Sequence, residues 1–390
     1  MSYDSRYNNN STIAVRAMCA IVFCVFTFVW LYYFQADVLA VGQHVLSGGK
    51  THYNRLVGAL LITFVLQLMQ QGVYALVRLQ RRTHALTYVP SFLVLAILSD
   101  LAADGGEGIK PAVWAWLLPL LLVLWGVAVW LSRKLLPFES DKGYIGLFSR
   151  RMWINMLIMA AQIFTAVATT NTNAVYHFRA HAENSLREGC VDEAVRVGKR
   201  SLETDSHLTM LRVFALSKQG TLGDRLFEYA LSGKSTDMLP LADSQSHLLM
   251  LSPDSLWRHL GGIPREGMTV NSYLDALERD SLATKAVGDY RLCGCLIDKR
   301  IDNFVRLLPR YYNVGDTLVV DRLPKHYREA LTLYRHLRAN PVLVYQNNVL
   351  EEDYADFQKL GKRYKKTSER HLRVFDRYHG TYWYYYFYKK

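Results

Sequence analysis

The hydrocarbon core of a bilayer is about 30 Å thick, and about 20 consecutive apolar residues cross it as a helix. The first 170 residues hold five apolar runs near that length, at about 13–34, 56–77, 86–102, 112–132 and 152–170. No other feature constrains the fold as strongly, because in lipid every backbone N–H and C=O must find a partner inside the protein. A polytopic transmembrane domain is therefore expected over 1–170. The run at 86–102 is the shortest, so four or five spans fit, and five is the expectation. The first run is longer and more aromatic than the core of a cleaved signal. Its far end carries Trp30, Tyr32 and Tyr33, which suit a lipid–water interface. Cleavage at Val38-Leu39-Ala40 is the alternative reading.

Charge divides the chain differently from hydropathy. Residues 1–170 hold 13 Lys and Arg against 7 Asp and Glu, and the remainder holds 33 against 27, so each part has a surplus of six cations. No basic tail emerges to suggest nucleic acid, and anionic lipid is the nearer partner. The cations also orient the spans. Arg78, Arg81 and Arg82 follow the second run, and Arg133, Lys134, Lys142, Arg150 and Arg151 lie between the fourth and fifth. Short loops rich in Lys and Arg stay cytoplasmic. The loops at 36–55 and 102–111 then face outward. The N-terminus is expected inside and everything after residue 170 outside, which in a two-membrane bacterium is the periplasm.

Gln67, Gln70 and Gln71 stand at i, i+3 and i+4 in the second run and share one helical face. Such a face either lines a polar path or binds neighbouring helices by hydrogen bonds, and the second use is the commoner. Asn155 and Gln162 in the fifth run read the same way, and Arg16 lies near enough to a helix end to reach the interface. No Asp, Glu, Lys or His sits in the middle of a run, which counts against an ion-coupled transporter.

From about residue 171 the pattern turns to short amphipathic helices broken by Gly and Pro, and a soluble all-α domain is expected over 171–390. Its first two helices are expected at about 174–188 and 191–203, separated by Gly189. Later ones follow at about 207–218, 223–232, 271–280, 285–298, 301–311, 324–338, 349–365 and 368–379. The only strand-like text is Thr317 to Val320.

Residues 183–206, ENSLREGCVDEAVRVGKRSLETDS, resemble the middle of a tetratricopeptide repeat. Gly189 ends the first helix, Ala194 follows after five residues, Ser201 after seven more, and Ser206 after a further five. Small residues at these points let the paired helices approach closely. Gly198 departs from the pattern, which has a bulky residue there. A shorter second copy runs from Leu208 to Leu231 with Gly220 as its break. An αα-hairpin unrelated to the family is the plainer reading of the same residues. Leu323 to Leu331 and the tail Thr381 to Tyr388 resemble segments of an uncharacterised family of bacterial multi-span inner-membrane proteins. That resemblance implies several spans followed by a C-terminal periplasmic helical-repeat domain, and it carries no assigned activity.

Motifs for chemistry are scarce. His177 and His181 have metal-ligand spacing but no third ligand close by. Cys293-Gly-Cys295 reads as a buried pair on a helix, since that spacing is tight for a disulfide; pairing in an oxidising compartment is the alternative. No P-loop, dinucleotide fingerprint or nucleophile elbow occurs, so no cofactor and no metal is expected, and an enzyme is disfavoured. The basic then aromatic segment 359–390 reads as a cap on the helical stack or as a sugar- or lipid-contacting tail. The expected function is a membrane-anchored interaction protein, its helical-repeat domain holding a protein partner in or at the membrane. The alternatives are a component of an envelope-glycan machine, with His44, His52 and Arg55 as the only hints, and a transporter subunit.

Overall fold

The computed structural model describes residues 3–79, 81–100, 111–135, 149–314 and 322–389. Every regular element among them is a helix. The expected outer loop at 102–111, most of the basic loop before residue 149 and the strand-like text at 317–320 lie outside the described residues. The chain divides into two compact units, residues 1–177 and 178–390.

The first unit is a helical bundle. Helix α1 (Tyr3–Val29) continues through a π turn (Trp30–Phe34), and α2 (Ala36–Ser47) and α3 (Arg55–Val77) follow. Next come a 3-10 segment (Arg81–Tyr88), α4 (Val89–Ser99), α5 (Pro111–Leu135) and α6 (Arg150–Ala168). Four stretches are long and apolar enough to cross a membrane: Ile13–Phe34, Arg55–Val77, Trp114–Lys134 and Arg150–Ala168. Two of these helices start at side-chain caps: Asn54 Oδ1 accepts from Val57 N–H at α3, and Ser149 Oγ accepts from Met152 N–H at α6. Leu61, Phe64, Val123, Val127, Leu157 and Phe164 are exposed on the bundle's outside. Apolar residues outside and hydrogen-bonded polar residues inside are the arrangement a lipid solvent favours. The chain is therefore a multi-pass membrane protein.

The run at 86–102 does not form a single span-length α-helix. Helix α4 has 11 residues, which cover about 16 Å at 1.5 Å per residue. Before it the backbone is a tighter 3-10 segment, and Pro90 explains part of this. A proline has no N–H, so the carbonyl four residues earlier loses its helical donor. That carbonyl belongs to Leu86, and Trp125 Nε1–H donates to it instead at 2.8 Å.

The two pieces together run the length of the bundle. At the start, Arg133 of α5 donates to Val77 O at the end of α3, and Asn155 of α6 meets Ala85. At the finish, Trp30 donates to Ser99 and Trp114 to Asp100. Laid end to end on one axis, eight 3-10 residues and eleven α residues have a combined rise of about 32 Å, close to the hydrocarbon thickness.

The second unit is built from short helices. Helix α7 (Ala174–Arg187) begins just before the unit boundary, and α8 (Val191–Arg196), α9 (Ser206–Gln219), α10 (Leu222–Arg225) and α11 (Pro253–Leu260) follow. The remainder comprises α12 (Val270–Arg279), α13 (Lys285–Ile297), α14 (Ile301–Tyr311), α15 (Lys325–Leu337), α16 (Asn348–Arg363), α17 (Thr367–Tyr378) and α18 (Tyr382–Tyr388). Helix α9 is buried from Leu208 to Ser217 and forms the centre of the core.

The second helix of the repeat-like stretch is shorter than its expected 191–203, ending at Arg196. Gly198 takes a left-handed φ of 60°, and Arg212 and the Phe178 ring close over it. Arg212 is buried and donates to Gly198 O, Thr204 Oγ1 and Ala230 O. It holds the chain folded back where a repeat would continue as helix.

Helix α7 is tied to the loop at 246–251 by Glu183, which is fully buried. Its carboxylate accepts from the backbone N–H groups of Leu249, Met250 and Leu251 at 2.7–3.0 Å. Burial pushes its pKa up, while these three donors and Arg179 pull it back down.

One turn depends on glycine itself. Gly261 adopts φ 131°, and a Cβ there falls 1.9 Å from Leu282 O. Gly261→Ala is expected to lower stability by at least about 1–3 kcal/mol, the cost of strain at such a backbone position. Thermal unfolding of the purified full chain measures this, and an unchanged midpoint contradicts it.

Candidate functional site

In the bundle, the three glutamines of α3 do different things. Gln70 is buried; its Nε2 donates to Thr87 Oγ1 at 2.8 Å, and its Oε1 accepts from Gln67 Nε2 at 3.2 Å. Gln71 is exposed and makes no hydrogen bond among the described residues. The shared face therefore splits at the 3-10 segment, one side bonded to it and the other left open.

The other intramembrane polar residues converge on the same segment. Asn155 Oδ1 accepts from Ala85 N–H at 2.8 Å, and Gln162 Nε2 donates to Ala85 O at 3.0 Å. Ser91 Oγ donates to Leu66 O, and Thr87 Oγ1 donates to His84 O. Side chains thus supply partners that an α-helix finds in its own backbone. The glutamine and asparagine positions were legible in the sequence. Their common target was not, because it lies 70 or more residues from Asn155 and Gln162 in the chain and 17 from Gln70.

Beside this bonded face lies an open cleft of about 630 Å³ between α1, α3 and the 3-10 segment. Arg16, Tyr74, His84 and Tyr88 form a row of ring contacts along it. The Arg16 guanidinium lies 4.5 Å from the Tyr74 ring centre, Tyr74 meets His84 at 5.2 Å, and His84 meets Tyr88 at 6.0 Å.

In the second unit, helices α12, α13 and α14 enclose a groove of about 370 Å³. Met238, Val270, Leu274 and Leu307 give it apolar lining, and Asn271, Asn303, Arg300 and Arg306 bring polar groups. Arg291 also lines it, held by ion pairs to Asp275 and, at 3.1 Å, Glu278. Arg300 is held by Asp298 at 2.6 Å. These pairs fix the arginine forks in place, and Arg306 is left exposed.

The repeat signature is distributed over a turn, a helix and a loop. Gly189 closes α7 with φ 81°, Ala194 is buried on α8, and Ser201 lies beyond α8 in irregular backbone. His177 bonds to Asn171 O at 2.9 Å, whereas His181 pairs with Glu193 at 3.3 Å. The two histidines therefore serve separate contacts, and no cluster of metal-ligating residues occurs among the described residues. Cys293 and Cys295 are buried on α13 as free thiols. Burial pushes both thiols up, which makes them poor nucleophiles and poor metal ligands.

Sequence reading missed a buried hydrogen-bonded pair, His326 and Glu329. His326 Nε2 accepts from Phe227 N–H at 3.3 Å, so its Nδ1 carries the proton that Glu329 Oε2 accepts at 2.9 Å. The same oxygen accepts from Tyr382 N–H at 2.7 Å, and Glu329 O accepts from Trp383 Nε1–H at 2.8 Å. The pair thereby holds the aromatic helix α18 against α15. Trp383 packs on Tyr354 and Phe357, and Tyr385 donates to Ile297 O. The signal was present: His326, Glu329, Ala330 and Leu333 fall at i, i+3, i+4 and i+7, the stripe that faces a core.

Neither a curated protein nor a solved structure matches the chain. A model described as a family of unknown function (DUF6057) matches residues 269–389, from the N-cap of α12 to the end of α18.

Proposed function

We infer that this is a membrane-anchored binding protein, whose helical C-terminal domain holds a protein partner in or at the membrane. The observation that carries this reading is the groove between α12, α13 and α14. It joins an apolar lining to two carboxamides and fixed arginines. A carboxamide both donates and accepts, so Asn271 and Asn303 match the peptide groups of an extended segment, while the apolar lining receives its side chains. The bundle supports the same reading. Gln70, Asn155 and Gln162 are used to bond its own helices, which suits a rigid anchor better than a transport path.

In this reading the segment 81–99 supplies a fifth crossing. The N-terminal residues and the C-terminal domain then lie on opposite sides of a bacterial inner membrane, the domain in the periplasm. The cation balance of the loops favours the same orientation.

The test places a photocrosslinking residue at Asn303 of the full chain in native membranes. A discrete adduct is expected, lost when Leu274→Arg and Arg306→Glu are introduced together. An adduct unchanged by those substitutions, or none from any groove position, overturns the groove as the binding site.

A further inference from the structure

We propose that the cleft between α1, α3 and the 3-10 segment is a binding site for one anionic glycerophospholipid. Arg16 stands one turn inside the apolar stretch that begins at Ile13. It is exposed, stacked on Tyr74, and makes no ion pair among the described residues. A guanidinium at that depth is costly unless it reaches the interface or meets an anion. Gln71 is likewise exposed without a hydrogen bond, and Gln67, partly buried, lines the same cleft nearer the membrane centre. Counting from the end of α3 at Val77, Gln71 lies about 9 Å and Gln67 about 15 Å along the helix.

The polar groups thus form a ladder from the interface toward the middle of the bundle, with Ala17 and Ala20 leaving space beside it. A phospholipid has the matching order of groups. Its phosphate meets Arg16, its ester oxygens accept from the carboxamide of Gln71, and an acyl chain lies along Ala17 and Ala20. The anionic headgroup follows from the surroundings. Arg78, Arg133, Lys134, Arg150 and Arg151 stand at the same end of the bundle, where the ends of α3 and α5 meet the start of α6. Asp37 and Asp100 stand at the opposite end, with Arg55 and Trp114.

Native mass spectrometry of the delipidated full chain, titrated with phosphatidylglycerol or phosphatidylcholine, tests this. One phosphatidylglycerol is expected to bind at least about fivefold more tightly than phosphatidylcholine, the contribution of a single well-placed cation. Arg16→Gln is expected to abolish that preference, and Gln71→Leu to weaken binding of both lipids. Arg16→Lys retains most of the preference, and Lys50→Gln, in the turn before α3 at the opposite end of the bundle, leaves it intact. Helical circular dichroism of each variant confirms that the bundle is folded. Equal retention by wild type and Arg16→Gln overturns the proposal. So does tighter binding of a polyprenyl phosphate than of phosphatidylglycerol, which assigns the cleft to another lipid phosphate.

Discussion

Replacing Asn155 by leucine is expected to cost the bundle about 2–4 kcal/mol, the largest effect of any single polar substitution in its interior. Leucine fills nearly the same volume, so no cavity opens. What is lost is the acceptor for Ala85 N–H, held at 2.8 Å inside the bundle. No water reaches that donor, and a stranded buried N–H costs about 1–3 kcal/mol, more in hydrocarbon.

The neighbouring polar residues rank below it for a physical reason. Gln162→Leu strands Ala85 O, but a carbonyl with two lone pairs tolerates loss of a donor better than an amide tolerates loss of its acceptor. Gln70→Leu removes two bonds between side chains, to Thr87 and from Gln67, and intramembrane bonds of that kind average about 0.6 kcal/mol each. The expected order is Asn155, then Gln162, then Gln70. Thermal or denaturant unfolding of the three variants in detergent measures it. If Gln70→Leu proves as damaging as Asn155→Leu, backbone rescue of the 3-10 segment is not what these residues do.

Glu329→Ala is expected to destabilise the C-terminal domain by about 2–6 kcal/mol, at about 1–3 kcal/mol for each of the two buried donors it strands. Glu329 is 2% exposed. Its loss leaves two donors without an acceptor, His326 Nδ1–H and Tyr382 N–H. The second donor belongs to α18, so the damage falls on the attachment of that helix. Trp383 leaves its site against Tyr354 and Phe357, its fluorescence shifts to longer wavelength, and protease cuts between α17 and α18. Glu329→Gln keeps an acceptor for Tyr382 and is expected to lose less. A Glu329→Ala protein with its tail helix still protected refutes this account of how the tail is held.

Four span-length helices and the all-helical domain were legible in the residues, the first through the length of apolar runs and the second through a local periodicity. Three features were not, and in each case a partner distant in sequence decides. The run at 86–102 reads as one short span, but its backbone is set by Asn155 and Gln162 of α6 and by Trp125 of α5. The helix after Gly189 reads as continuing to 203. A left-handed Gly198, clamped by Arg212, stops it at Arg196. The segment around Leu323 to Leu331 read as a helix and a family resemblance, and not as the holder of the histidine and glutamate that fix the tail. Local text identified which positions face inward. It did not identify what they meet.

The 3-10 segment carries a consequence for how this protein enters its membrane. On the proposal that 81–99 is a fifth crossing, it is delivered to the bilayer in order of synthesis and must be tolerable in lipid when it arrives. Segment 81–99 has Arg81, Arg82, Thr83 and His84 at its beginning, and its backbone is completed by side chains from residues 155 and 162. When it is made, those partners do not yet exist. It has to wait, at the interface or beside the insertion machinery, until α6 has emerged. Assembly of the bundle is then out of sequence, with an early segment settling last, and α6 acts as the template on which it folds.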